Sequence, residues 1–243
     1  SIVMDNTGQY VYIAGYSNRL LNLTAADYLV IKYRASDGHQ MWVRTYNNIL
    51  LSDDRAEDIA VDSGNNIVVT GYSQGFLLVL TPYDFTTIKY DANGNQVWLK
   101  RYNGTGNSVD KAYSLKIDNS DNIIVTGESL GSTSDADYAT VKYNSSGSLQ
   151  WVSRYNGPGN NQDRAYAIIV DNSDNILVTG SSRSTNTAGS EDYATIMYNS
   201  AGTEQWVTRY NGTGSSEDRA YAIVVDNSDN IYITGSSRSG SLL

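Results

Sequence analysis

Residues 165–180 read AYAIIVDNSDNILVTG, and residues 192–212 read DYATIMYNSAGTEQWVTRYNG. These two stretches decide the fold. Residues 165–170 are small and apolar on both faces, which predicts a crowded, fully buried strand. Residues 171–175 form a turn, because Asp and Asn side chains bond their own backbone and tolerate positive φ. Residues 176–179 make a second strand, and Gly180 is expected to stop it. After a polar loop come a third strand at 192–198, a hairpin turn at 199–202 and a fourth strand at 205–210. Nothing in these stretches has the 3.6-residue period of an amphipathic helix.

The same text recurs along the chain. The four tryptophans, Trp42, Trp98, Trp151 and Trp206, and the aspartates Asp5, Asp62, Asp118, Asp171 and Asp226 repeat at intervals of 53 to 57 residues. A fixed period of that length means stacked copies of one unit. Four short antiparallel strands per copy read as the blade of a β-propeller, and the fold class is all-β; a parallel β-helix, the rival, lacks such hairpin turns. The first strand occurs five times, from near Ile2, Ala56, Ala112, Ala165 and Ala220, and the second five times, up to Gly15, Gly71, Gly127, Gly180 and Gly235. Strands three and four occur four times, from Asp27, Asp84, Asp137 and Asp192. The expectation is one propeller domain or propeller segment over residues 1–243. It holds about four and a half repeats, at 1–55, 56–111, 112–164 and 165–219, with a half-repeat at 220–243. The opening SIVMD matches AIVVD at 222–226 rather than a signal peptide. Two expectations follow: a fragment of a longer propeller, or a ring or filament in which a second chain supplies the missing strands.

Three phrases carry a family resemblance. They are Asp-Tyr-Ala-Thr-Ile-x-Tyr-Asn-Ser-x-Gly from Asp192, Gln-Trp-Val-x-Arg-Tyr-Asn-Gly from Gln205, and Asp-Arg-Ala-Tyr-Ala-Ile-x-Val-Asp-Asn-Ser-x-Asn-Ile-x-x-Thr-Gly-Ser-Ser from Asp163. With their copies they resemble, over essentially the whole chain, the bacterial β-propeller repeat family known as SBBP. The resemblance implies an extracytoplasmic propeller, often a module of a larger surface protein. It brings no general set of catalytic residues.

Composition narrows the function classes. The net charge of −9 and pI near 4.5 repel phosphate backbones, so nucleic acid is not an expected partner. No apolar run is long enough to span a bilayer as a helix. There is no cysteine, which removes disulfides, thiolate metal sites and a Cys nucleophile together. Abundant Asn, Ser, Thr, Gly and Tyr with few Lys fits an extracellular or cell-surface setting. The 20 tyrosines against 2 phenylalanines predict a core of aliphatics and amphipathic aromatics.

Little chemistry stands out. His39 is the sole histidine and lies in a turn, so Ser-His-Asp mechanisms and zinc sites lack material. Asp53-Asp54, Asp110, Asp163 and Glu217-Asp218 precede Arg55, Lys111, Arg164 and Arg219, and read as repeated ion pairs or loop anchors rather than as a glycosidase carboxylate pair. No cofactor is expected. Calcium is the one ion the Asp118/Asp121, Asp171/Asp174 and Asp226/Asp229 turns could take, though tight-turn chemistry alone accounts for them. The sequons at Asn22, Asn103, Asn144 and Asn211 inform only if the source glycosylates.

The loops that differ between copies are where a function would be grafted. In the third and fourth repeats they are polar. In the first two they are apolar: Leu20, Leu21 and Leu23; Ile49, Leu50 and Leu51; and Phe76, Leu77, Leu78, Val79 and Leu80. Contiguous apolar surface marks a contact site, here the candidate interaction surface, unless the loops pack on one another. The expected function is a non-catalytic extracellular structural or interaction scaffold. Its partner is a protein, another copy of the chain included, with strands from another chain completing it. The alternative is a carbohydrate-binding propeller module of a cell-surface protein, with glycan stacked on repeated Trp and Tyr.

Overall fold

The computed structural model describes residues 1–18, 26–48, 52–75, 82–132, 135–185, 187, 189–214 and 216–238. Among the described residues, eighteen strands fall into five antiparallel sheets. The first holds β1 (Ile2–Met4), β2 (Tyr10–Asn18), β3 (Ala26–Arg34) and β4 (Gln40–Tyr46). The second holds β5 (Asp54–Val61), β6 (Ile67–Gln74), β7 (Tyr83–Tyr90) and β8 (Gln96–Tyr102). The third holds β9 (Asp110–Ile117), β10 (Ile123–Leu130), β11 (Ala136–Tyr143) and β12 (Leu149–Tyr155). The fourth holds β13 (Asp163–Val170), β14 (Ile176–Arg183), β15 (Glu191–Tyr198) and β16 (Glu204–Tyr210). The fifth pairs β17 (Asp218–Val225) with β18 (Ile231–Ser237). Within each sheet the strands meander in sequence order, which is the construction of a propeller blade.

The first strands converge: β5 lies against β9, β9 against β13 and β13 against β17, so they form the inner side of the array. The core lies between consecutive sheets, because period-2 alternation sends neighbouring side chains to opposite neighbours. Ile123 and Val125 face the second sheet, where they meet Val68, Phe85 and Trp98. Ile124, between them in sequence, faces the fourth sheet and packs with Tyr138, Ile168, Ile176 and Ile196. One strand thus serves two cores.

Two details correct the sequence reading. The second strand does not stop at its glycine: β14 runs on through Gly180 to Arg183. The register shifts there, with Ala165 opposite Gly180 and Ala167 opposite Thr179, leaving Tyr166 as the extra residue of a β-bulge. A Cβ on Gly180 would land on the Arg164 carbonyl oxygen and within 2.8 Å of the Tyr138 hydroxyl, so the glycine is a point of close approach. The first strand is also not the fully buried one. Strands β10 and β14 are buried along nearly their whole length, whereas β9 and β13 are buried at only three positions each. The first strand has a neighbouring sheet on its flank only, and its other residues look inward.

The turns follow their expected chemistry. Asp121, Asp174 and Asp229 take φ near 60°, as does Asn65 in the second sheet. In each, the first aspartate caps the turn: Asp118 Oδ1 accepts from the backbone N–H groups of Ser120 and Asn122 at 2.9 Å each.

Candidate interaction surface

The repeated motifs are spent on joining one sheet to the next. The Asp-Tyr and Thr-Gly motifs meet across the interface: the Tyr28 hydroxyl lies beside Gly71, that of Tyr138 beside Gly180, and that of Tyr193 beside Gly235. Tyr28 donates to the Thr86 carbonyl at 2.9 Å and Tyr138 to that of Ala194 at 3.1 Å. Both phenols are pushed well above the usual tyrosine range, first by burial. Phe85 takes this seat in the second sheet and brings no hydroxyl.

The Arg of the Arg-Tyr motif closes its own sheet. Arg154 donates to Asp137 at 2.9 Å and to the Ser129 carbonyl at 2.7 Å, and Arg209 repeats this with Asp192 and Ser182. Asp110 and Asp163, wholly buried, anchor the incoming loop by accepting from the N–H of Gly104 at 2.8 Å and of Gly157 at 2.6 Å. Burial pushes both carboxyls up to about 6 against the pull of these hydrogen bonds.

A third device is a clamp of Asp, Lys and Trp. Lys142 is paired with Asp118 at 2.8 Å and donates to the carbonyl of Ser200, in the third-to-fourth-strand turn of the next sheet. Trp151 Nε1 donates to the same carbonyl at 3.1 Å, and its ring lies against Gly202. Lys89, Asp62 and Trp98 do the same on Ser145, and Lys32 and Trp42 on Ala92. Trp42, Trp98 and Trp151 are therefore packed between sheets.

The Asp-Asn-Ser-Asp-Asn turns form a seam as well. Ser63 donates to Asp121, Asn119 to Asp174 and Asn172 to Asp229, each one sheet further along. The carboxylates that the sequence offers to calcium thus carry turn, lysine and seam hydrogen bonds. Among the described residues no three His, Asp or Glu side chains gather at one point.

What the framework leaves over is an inner rim that differs from sheet to sheet. The bulge residue is Glu57, Tyr113, Tyr166 or Tyr221. Tyr113 and Tyr166 rings lie 5.9 Å apart and Tyr166 and Tyr221 5.4 Å apart, giving a stair of three tyrosines across three sheets. The basic residue two positions earlier reaches back one sheet. Arg55 covers the Tyr16 ring at 4.8 Å, Lys111 covers Tyr72 at 5.2 Å and Tyr83 at 5.1 Å, and Arg164 pairs with Glu128 at 2.5 Å. Glu128 also accepts from the Tyr113 hydroxyl at 2.7 Å. Burial and the adjacent Glu128 carboxylate both push the Tyr113 phenol up. For Arg164 burial works against the cation, and Glu128 outweighs it. Burial lifts Tyr72 to about 12 and raises Glu57 above the usual carboxylate range. The rim has the amphipathic aromatic and guanidinium groups that dominate binding hot spots.

The charged residues singled out in sequence are thus divided. Asp54, Asp110, Asp163 and Asp218 are buried anchors, while Arg55, Lys111, Arg164 and Arg219 belong to the rim. Arg55 pairs with Asp53 at 3.1 Å and Arg219 with Glu217 at 2.6 Å. The tyrosine stair was not anticipated. The phrase Ala-Tyr recurs at 112–113, 165–166 and 220–221, but only the bulge turns these tyrosines inward. The apolar candidate residues Leu20, Leu21, Leu23, Ile49, Leu50, Leu51, Phe76, Leu77, Leu78, Val79 and Leu80 all lie outside the described residues.

Blade-like four-stranded sheets, cores between sheets and first strands on the inner side define a β-propeller repeat protein. Residues 205–242 match the family model of the SBBP beta-propeller repeat, in agreement with the resemblance read from the sequence. An uncharacterized WD repeat-containing protein of Acanthamoeba polyphaga mimivirus is 27% identical over 50% of this chain, and the match spans only 11% of that protein. Among solved structures, the quinohemoprotein alcohol dehydrogenase of Comamonas testosteroni superposes on 93% of this chain and 38% of its own, with a TM-score of 0.52 and 11% identity. Identity that low speaks for the fold alone.

Proposed function

We propose that this chain is a non-catalytic interaction scaffold that takes a protein partner on its inner rim, outside the cytoplasm. The observation that carries the reading is the division of labour among its polar groups. The repeated Asp, Arg, Lys and Trp side chains close each sheet, anchor its loop or join it to the next, while the bulge residues and the basic residues before them lie on the inner side. There Tyr113, Tyr166 and Tyr221 stack, with Tyr221 still 50% exposed. Tyrosine offers large contact area at little entropic cost, and arginine beside it adds directional donors. The WD repeat similarity fits an interaction role. A composition rich in Asn, Ser, Thr, Gly and Tyr with few Lys supports the setting.

Panning a random peptide display library on the immobilised chain tests this. The expected result is a convergent peptide class whose retention falls about tenfold or more in the Tyr166→Ser/Tyr221→Ser variant, as the loss of one or two aromatic hot spots predicts. Retention unchanged by the double substitution overturns the rim as the site. Convergent binding on a glycan array that the same substitutions abolish favours a carbohydrate module instead, with sugar rings stacked on the tyrosine stair.

A further inference from the structure

The basic residue before each bulge reaches back one sheet, and one of the four finds nothing there to meet its Nε. Arg55 lies on the Tyr16 ring, Lys111 on the Tyr72 and Tyr83 rings, and Arg164 on the Glu128 carboxylate. Tyr16, Tyr72 and Glu128 each follow the second-strand glycine, and in the fourth sheet that position is Ser181. Arg219 is the basic residue one sheet further on. A serine side chain ends before the place that the Glu128 carboxylate occupies. Arg219 Nη2 is held by Glu217 at 2.6 Å, but its Nε is buried with no partner among the described residues. A buried donor without an acceptor costs free energy, so it marks a seat for one.

The interface one sheet earlier shows what fits. Glu128 Oε2 accepts from Arg164 Nε at 2.5 Å, and Oε1 accepts from the Tyr113 hydroxyl at 2.7 Å. Tyr166 is the bulge residue of the fourth sheet, as Tyr113 is of the third. The pair Tyr113 and Arg164 thus recurs as Tyr166 and Arg219, without the carboxylate between them. The difference is a substitution, Ser181 for glutamate, between the fourth sheet and β17, on strands that pair with described neighbours. The charge agrees. Arg183, Arg219 and Arg238 stand against Glu191 and Glu217 here, a cationic corner on a chain of net charge −9.

We propose that an acidic side chain of the protein partner, glutamate or aspartate, fills the seat above Ser181. Its carboxylate takes the Arg219 Nε–H and the Tyr166 hydroxyl, as Glu128 takes those of Arg164 and Tyr113 one sheet earlier. Charge-assisted bonds of this kind are the strong ones. The seat rests on the reading of the inner rim as a partner site and adds the chemistry of that partner. It also fixes register. A chain of net charge −9 repels acidic groups over most of its surface, so the one cationic corner decides where on the rim the acidic residue docks.

The test follows the Arg219 Nε–H resonance of the whole chain by nitrogen-15 NMR. The probes are a blocked glycine peptide with one central glutamate, the same peptide with glutamine, and inorganic phosphate. The expected result is a saturable shift with the glutamate peptide at millimolar concentration. The glutamine peptide should bind about tenfold more weakly or worse, the worth of a hydrogen bond to a charged group. Ser181→Glu should supply the carboxylate from within, moving the Arg219 resonance without peptide and abolishing the titration. Arg219→Lys keeps the charge and loses the Nε–H, and should weaken binding about tenfold, read on the Tyr166 amide. No shift at millimolar peptide, equal binding of the two peptides, or full binding to Ser181→Glu overturns the proposal. Tighter binding of phosphate than of the glutamate peptide does so too. The seat and the rim fail separately: library peptides that need Tyr221 yet bind Ser181→Glu undiminished leave the rim standing and remove the seat.

Discussion

Replacing Lys142 with Met tests the clamp most directly, because the protein already holds that residue at the matching position, Met197. The Lys142 and Asp118 side chains are 6% and 2% exposed and 2.8 Å apart. Removing one partner of a buried pair costs about 3–5 kcal/mol, because the other charge stays buried without compensation. Here Asp118 keeps hydrogen bonds from Ser120, Asn122 and the Asn122 side chain, which places the loss near the lower end, about 3 kcal/mol. Met fills nearly the same volume, so the cavity contribution is small. Burial would raise the Asp118 carboxyl, but hydrogen bonds from Lys142 and Asn122 outweigh it and hold the group below 3.8. A depressed folded-state value stabilises the protein above 3.8 and loses that contribution as pH falls through the folded value. The variant should therefore be weakest relative to the parent at neutral pH, and the gap should narrow below about pH 4.

Urea unfolding at pH 7 and pH 3.5 measures this, with amide exchange to locate the loss between the third and fourth sheets. Contacts in a repeat array are between neighbours, so the first and second sheets should keep their protection. Adding Asp118→Asn should recover most of the loss by removing the stranded charge. A loss under about 1 kcal/mol at neutral pH, or no recovery in the double variant, would refute the buried-charge reasoning, since that is the range of an exposed ion pair.

Three further outcomes are expected. Gly180→Ala should destabilise by about 3 kcal/mol or more by urea titration, since its Cβ meets a backbone carbonyl that cannot yield, whereas Gly15→Ala, with nothing within 4 Å, should stay within about 0.5 kcal/mol. Asp163→Asn should flatten the pH dependence between about pH 4 and 6. Its carboxyl is raised to about 6 in the fold, so the parent loses stability as pH rises through that window, by at most about 3 kcal/mol, and denaturation at four pH values would reveal any slope left in the variant. Tyr138→Phe should cost only about 1 kcal/mol of thermal or chemical stability, the worth of its hydrogen bond to Ala194, because Phe85 already occupies the equivalent seat.

Much of the framework was readable in one dimension. The strands of the template repeat fall within a residue or two of their expected starts, because period-2 alternation and Asn/Asp/Gly turns are local properties. The exceptions are informative. Gly180 looked like a strand terminator because glycine usually is one; it continues the strand because a bulge on β13 needs the space. The turn aspartates carry contacts that no local reading shows: Asp118 is engaged by Lys142 and Asp121 by Ser63, the second from another repeat. The inner rim could not be found by inspection, since Tyr113, Tyr166 and Tyr221 are identical in text to core tyrosines.

The sequence by itself determined the unit: four strands, their turns and the period at which they recur. It did so because side-chain alternation and turn propensity act over a few residues. Which repeated residues join sheet to sheet, and which remain free to bind, was decided only by the tertiary structure. The partners of Tyr138, Trp151 and Asp174 lie some 50 residues away in sequence, and a contact at that range exists only once two sheets have packed.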